Sequence, residues 1–242
     1  MQKGRRPSTS IRNVKLSDSQ NFITSKALIQ RLLLTEALCR RSRHVCSVEL
    51  DRKLYESSKM KLAGSSNLNL IHGDFLKYSL PAKGDYKVFS NIPYCITTQI
   101  LEKLTDAPNP PKDIWLVMER GAAKRFTGAG KETKQSLLLK VNWDMKILFH
   151  FRREDFHPMP SVDSVLVHFS RKAVPDLSRE QLKSFAYFIE HSYKYGICGR
   201  NGLLTKRQVS AALKQAGLPH AHEDGVTLYI QWLCLFRCWK QR

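Results

Sequence analysis

A chain of 242 residues can enclose one sizeable core and a smaller domain. Its 40 Lys and Arg against 21 Asp and Glu leave a formal charge of +19, which points to a polyanionic partner and to nucleic acid first. No run approaches the roughly 20 apolar residues of a membrane span, no secretory signal is visible, and the six cysteines form no Cys-x-x-Cys pair or zinc-like spacing with histidine, so a cytoplasmic protein with reduced thiols and no metal is expected.

Residues 1–16 are basic and polar without periodicity and read as a flexible arm. An amide-rich turn, Ser19-Gln20-Asn21-Phe22-Ile23-Thr24, precedes a helix over Ser25–Ser42 with Leu28, Leu32 and Leu38 on its apolar face. A strand over His44–Asp51 follows, then a helix Arg52–Leu62, a loop Gly64–Asn67, and a strand Leu68–His72 that ends in Gly73-Asp74. The run Tyr86–Phe89 is a strand, Thr97–Asp106 a helix, Pro108–Pro111 a loop, and Ile114–Met118 a strand. Helical segments at Gly121–Phe126 and Thr133–Val141 lead to strand Lys146–Phe151, a rigid loop Asp155–Pro160 and a last strand Ser164–Ser170. This alternation predicts an α/β domain over 17–174 with a mostly parallel, doubly wound sheet and antiparallel strands at its end.

After Pro175 the pattern is all helical, over 178–195, 205–216 and 227–239, so residues 175–242 form a small C-terminal helical domain. The stripe Leu228, Trp232, Leu235, Phe236 and Trp239 is core packing, and His220-Ala-His222-Glu223-Asp224 is a polar loop in preference to a metal site.

One short run makes specific chemical sense. Ser90-Asn91-Ile92-Pro93-Tyr94 stands at a strand's carboxyl end, where open α/β sheets place their ligands. Pro93 holds Ile92 extended and supplies no N–H, which leaves nearby carbonyls for a ligand. Asn91 adds a carbonyl oxygen and Tyr94 a flat ring, so two acceptors could grip an exocyclic amine while the ring stacks on its base. Such a site suits methylation of an adenine amine, whose delocalised lone pair needs polarisation and positioning more than a strong base. Asn-x-Pro-Tyr is equally common as a plain turn. Glu49 and Asp74 end the two preceding strands, where carboxylates can accept from a ribose and from a cofactor's adenine, although acids there are often only solvated.

In this order Ser19–Thr24, Val48–Asp51, Gly73-Asp74, Asn91–Tyr94, Gly121–Phe126 and Phe156–Pro160 resemble the Erm family of rRNA adenine N6-methyltransferases, from about Ser17 to the C-terminus. The resemblance implies a Rossmann-like class I methyltransferase domain with a helical RNA-binding domain, S-adenosyl-L-methionine as cofactor, and one adenine of 23S rRNA as target, blocking macrolide, lincosamide and streptogramin B antibiotics. It further implies a monomer. It assigns Asn21 and Ile23 to the cofactor's methionine part, Glu49 to its ribose and Asp74 to its adenine. Asn91, Ile92, Pro93 and Tyr94 would hold the target adenine, Phe156 would close on its other face, and Lys124 and Arg125 would contact RNA.

One departure stands out. The family carries a central first strand and a glycine loop ahead of the strand ending at Glu49, yet here no glycine occurs between Gly4 and Gly64. Roughly twenty residues are absent, judged by the usual separation of a glycine loop from its ribose acid. A damaged cofactor cradle is expected, with the sheet closing between neighbours not normally adjacent. Two alternatives therefore stand beside the resistance enzyme: a small-subunit rRNA dimethyladenosine transferase, in which leucine typically replaces Ile92, and a catalytically inactive rRNA-binding relative.

Overall fold

The structure is a computed structural model that describes residues 35–156, 159–219 and 228–241. Residues 35–41 are helical, in line with the end of the predicted 25–42 helix, whose earlier part lies outside the described residues together with the 1–16 arm, Asn21, Ile23 and the His220–Asp224 loop. Strand β1 (Val45–Glu49) leads to helix α1 (Arg52–Lys61), and β2 (Leu68–His72) returns parallel to β1, with Glu49 opposite His72. Asp51 caps α1 by accepting from the Leu54 N–H at 2.9 Å, which satisfies one of the helix's orphan donors.

The larger sheet has the order β3-β4-β6-β5. Strand β3 (Lys87–Asn91) is followed by helix α2 (Thr97–Thr105), β4 (Asp113–Glu119), helix α3 (Arg120–Thr127), helix α4 (Lys134–Lys140), β5 (Trp143–His150) and β6 (Ser164–Arg171). β3 runs parallel to β4, whereas β6 is antiparallel to both β4 and β5, as the sequence pattern anticipates. The apolar run Ile-Trp-Leu-Val-Met makes β4 the most buried strand, and Ile114, Leu116 and Met118 pack with Val165, Val167, Phe169, Leu101 and Leu104. Helix α3 ends where Gly128 turns left-handed at φ 70°, with the Glu132 carboxylate where a Cβ would project.

Two predicted boundaries move for physical reasons. β5 begins at Trp143 because that indole is buried opposite Arg171, three residues before the alternation becomes visible. β3 extends past Phe89 to Asn91, because Asn91 continues the register opposite Val117.

Helices α5 (Arg179–Tyr195), α6 (Lys206–Gln215) and α7 (Tyr229–Lys240) follow, α5 opening on the Ser178–Gln181 capping box. Phe185, Phe188, Ile189, Leu213, Trp232, Leu235 and Phe236 form their core, and Leu137 of α4 and Val141 just after it pack into it. The six cysteines are free thiols, and among the described residues no helix is long and apolar enough to cross a membrane and no metal-binding cluster occurs.

The expected closure of the sheet does not occur among the described residues. β1 and β2 form a separate two-stranded sheet with no strand pairing to the other four. In the doubly wound order 3-2-1-4-5 the first strand is what joins the second and third strands to the fourth and fifth. Without it the two sets have no shared ladder, and the expected pairing of unusual neighbours is corrected to a split. Attachment falls instead to the segment after β2: Phe75, Leu76 and Leu80 pack on the main core, and Lys103 of α2 donates to the Leu76 carbonyl at 3.0 Å. The Cys46 thiol also meets the Tyr78 hydroxyl at 3.3 Å, and that hydrogen bond, with burial, pushes the phenol up to about 12.

No residue of β1, α1 or β2 is fully buried, in contrast to β4 and β6. Local opening free energy follows buried apolar contact. Amide hydrogen exchange should therefore be faster over residues 45–72 than over 113–119 and 164–171; equal protection of the two regions would show that the small sheet is held by more than these contacts.

Candidate active site

Asn91 is the last residue of β3, and the chain leaves the sheet through one more bond, from the Ile92 N–H to the Val117 carbonyl at 3.2 Å. The Ile92 side chain is buried, and Pro93 sits at φ −62° and ψ 128°, extended as a proline requires. Residues Tyr94–Ile96 then make one 3-10 turn, the Thr97 hydroxyl donates to the Tyr94 carbonyl at 3.0 Å, and α2 begins. None of the hydrogen bonds among the described residues ends on the Ile92 carbonyl.

Across the sheet, the Tyr94 hydroxyl meets Ser164 Oγ at 2.5 Å. Ser164 opens β6 opposite Glu119, the last residue of β4. The ring that sequence reasoning chose for stacking is thus tied at its far end to a second strand. Ser164 was not foreseen, because a serine at a strand start carries no sequence signal of its own.

The structure brings Asn91, Ile92, Pro93 and Tyr94 together in one turn, and separately brings Glu49 and Asp74 to the ends of the paired strands β1 and β2. The Gly73 N–H donates to the Glu49 carbonyl at 2.9 Å, which ties the ends of the two strands together. Each carboxylate already accepts a local N–H, Glu49 from Asp51 at 3.0 Å and Asp74 from Leu76 at 2.8 Å. One bond does not exhaust the acceptor sites of the Asp74 carboxylate. The two acids and the Asn91 turn nevertheless stand on different sheets.

Phe156 is buried, 7% exposed, with its ring edge-on to Phe151 at 5.4 Å. In this arrangement it does not present an open face. Lys124 and Arg125 are exposed on α3. Arg125 lies over the Phe126 ring at 4.7 Å and donates to the Thr98 hydroxyl at 3.3 Å, so it also bridges α3 to α2. Beside them Arg120 and Arg153 converge on Asp163 at 3.2 and 2.9 Å, a cluster with no counterpart in the predicted site. Hydrogen bonding and charge from Arg153, aided by Arg120, hold the Asp163 carboxyl below its ordinary value.

A family model described as ribosomal RNA adenine dimethylase matches residues 31–195. The chain is 30% identical to an rRNA adenine N-6-methyltransferase of Lysinibacillus sphaericus over 94% of this chain and 97% of that protein. It is 34% identical to one of Bacillus anthracis over 86% of this chain and 74% of that protein. The chain belongs to this family of rRNA adenine methyltransferases. Among solved structures, that of the 23S rRNA methyltransferase ErmE superposes with a TM-score of 0.75 at 28% identity, covering 86% of this chain and 87% of that one. A dimethyladenosine transferase from Plasmodium falciparum, at 19% identity and a TM-score of 0.63 over 84% of each chain, shares the fold. The Erm-like class I methyltransferase architecture expected from the sequence is therefore the architecture of this chain, with its sheet in two parts among the described residues.

Two measurements test the local geometry. Tyr94→Phe and Ser164→Ala each remove one partner of the same bond, worth about 1 kcal/mol, and each should lower the calorimetric midpoint by roughly 2–4 °C. The double variant should lose little more than either single one; additive losses would mean that the two hydroxyls act independently. The depressed Asp163 carboxyl favours folding above the ordinary carboxylate range near pH 4, and that contribution is lost as pH falls through the lower folded value. Carbon-13 NMR should show Asp163 titrating below free aspartate, and Arg153→Gln should raise its midpoint.

Proposed function

We propose that this protein methylates N6 of one adenine in 23S rRNA with S-adenosyl-L-methionine, a modification of the kind that confers macrolide, lincosamide and streptogramin B resistance. The observation that carries the reading is the Asn91–Tyr94 turn, in which a strand-end amide, a carbonyl without a hydrogen-bond partner among the described residues and an anchored ring stand together. The likeness to ErmE and the isoleucine at position 92 favour the large-subunit target.

Asn91 Oδ1 and the Ile92 carbonyl accept the two hydrogens of the adenine amine and draw its nitrogen toward tetrahedral geometry. Tyr94 stacks on the base, held against rotation by Ser164. Stacking is worth ~1–3 kcal/mol per base, enough to offset much of the few kcal/mol that extrusion of a nucleotide costs. Glu49 would take the cofactor's ribose and Asp74 its adenine, from the ends of β1 and β2. S-adenosyl-L-methionine, when bound, supplies the electrophilic methyl group. Lys124 and Arg125 add phosphate contacts on α3, the helical domain of residues 175–242 extends the RNA surface, and the protein works as a cytoplasmic monomer.

The division of the sheet among the described residues favours a second reading, an rRNA-binding relative with impaired catalysis, because no strand there joins the acids to the adenine turn. Transfer of labelled methyl to naked 23S rRNA, mapped as a primer-extension stop at one adenine, supports the enzyme. No transfer to 23S or 16S rRNA, with salt-sensitive binding retained, supports the second reading. Transfer to 16S alone indicates the small-subunit enzyme.

Tyr94→Ala should lower turnover at least tenfold with little change in cofactor affinity, since stacking of the target base is lost. Lys124→Ala should weaken RNA binding across sequences and flatten its salt dependence by about one unit; an effect on cofactor affinity equal to that on RNA would contradict both roles. Insertion of a family-like strand and glycine turn after Leu33 should raise cofactor affinity measured by calorimetry; unchanged affinity would show that the present cradle is sufficient.

A further inference from the structure

Between the end of β4, the start of α3 and the turn before β6 lies a cleft of about 270 Å³, lined in part by Glu119, Arg120, Gly121, Lys124, Arg153 and Asp163. Its cationic side is prearranged. Asp163 orients both guanidinium groups, and one carboxylate against two arginines leaves a net positive charge with N–H donors still available to an anion. Lys124, exposed and without an ion pair among the described residues, adds a third cation.

The opposite side differs in chemistry. Glu119 is half-buried and makes no ion pair among the described residues. A Cβ on Gly121 would stand 2.9 Å from Glu119 Oε1, so this carboxylate lies close over the start of α3. A carboxylate would weaken a site built for a bare anion. It suits a ligand that presents an anion and a hydroxyl together, since a carboxylate accepts strongly from O–H. The RNA backbone offers that pair, a phosphodiester and a 2′-hydroxyl, whereas DNA lacks the second.

The cleft adjoins the adenine turn. Glu119 is in register with Ser164, whose Oγ holds the Tyr94 hydroxyl, and the Arg120 N–H donates to the Asp163 carbonyl at 2.8 Å. Paired residues on adjacent strands stand about 5 Å apart, so the ring and the cleft can be occupied by successive nucleotides.

We propose that this cleft binds the sugar-phosphate next to the target adenosine, with Arg120, Lys124 and Arg153 on the phosphodiester and Glu119 on the 2′-hydroxyl, and that it thereby selects RNA over DNA. This rests on the RNA-modifying reading above.

The test uses the full chain and binding alone, so it is independent of turnover. A hairpin is cut from the rRNA region that the protein protects in footprinting, and single 2′-deoxy substitutions are scanned through its unpaired nucleotides. At one position the substitution should weaken binding roughly threefold to tenfold, the size of one lost hydrogen bond. With Glu119→Gln in place the same substitution should have a clearly smaller effect, and Arg153→Gln should flatten the salt dependence by about 0.7 while leaving the 2′-deoxy effect intact. A 2′-deoxy effect equal in wild type and Glu119→Gln, or none at any position, overturns the subsite while leaving the RNA reading in place. No protection of either rRNA overturns the RNA reading and the subsite with it. Competition by ribose 5-phosphate at the concentration of the hairpin would reassign the cleft to a small molecule.

Discussion

The ladders on either side of β4 set every distance that matters at the candidate site. β4 is hydrogen-bonded to β3 along one edge and to β6 along the other, and Ile114, Leu116 and Met118 seal it into the core. Register on one edge puts Asn91 opposite Val117, and on the other puts Ser164 opposite Glu119. The Tyr94 to Ser164 hydrogen bond then spans the strand between them. A shift of one residue in either ladder would reverse the faces of these side chains. Adenine chemistry of the kind inferred here depends on placement more than on a reactive group, and the placement comes from this one strand.

The acid pair has no comparable frame among the described residues. Glu49 and Asp74 stand at the end of a two-stranded sheet, and Phe75, Leu76 and Leu80 after it pack on the main core, with Lys103 bonded to the Leu76 carbonyl. Two strands with no fully buried side chain are marginal by themselves. Among the described residues the Asn91–Tyr94 turn and the acid pair thus differ in support, because no strand there joins their sheets.

Much of this was readable from the residues. The apolar run in β4 and the start of β6 give their strands nearly to the residue, and the capping residues Asp51, Thr133, Ser178 and Thr205 mark helix starts. The strand-end positions of Asn91, Glu49 and Asp74 also follow from pattern. What escaped depends on contacts distant in sequence. Ser164 matters because of Tyr94, seventy positions away. Arg120, Arg153 and Asp163 become a cluster only when the turn before β6 folds back on α3. Trp143 reads as a loop residue until Arg171 is set opposite, and Phe156 reads as an open ring until Phe151 packs on it. The missing glycines were plain in the sequence, but their result was not. An interrupted sheet, and not a re-paired one, follows from geometry that no local pattern encodes.

A sheet in two parts also bears on how copies of the molecule meet. Among the described residues the two sheets end on β1 and β2 and on β3 and β5, and an open strand edge is a row of N–H and C=O groups able to template another chain. Lys87 opens the β3 edge, and Arg40, Arg41 and Arg43 precede β1, so cations stand beside the strands where such pairing would start. With a net charge of +19 the molecules repel one another until salt screens them. The basic composition that suits a polyanion thus also opposes edge-to-edge pairing between copies.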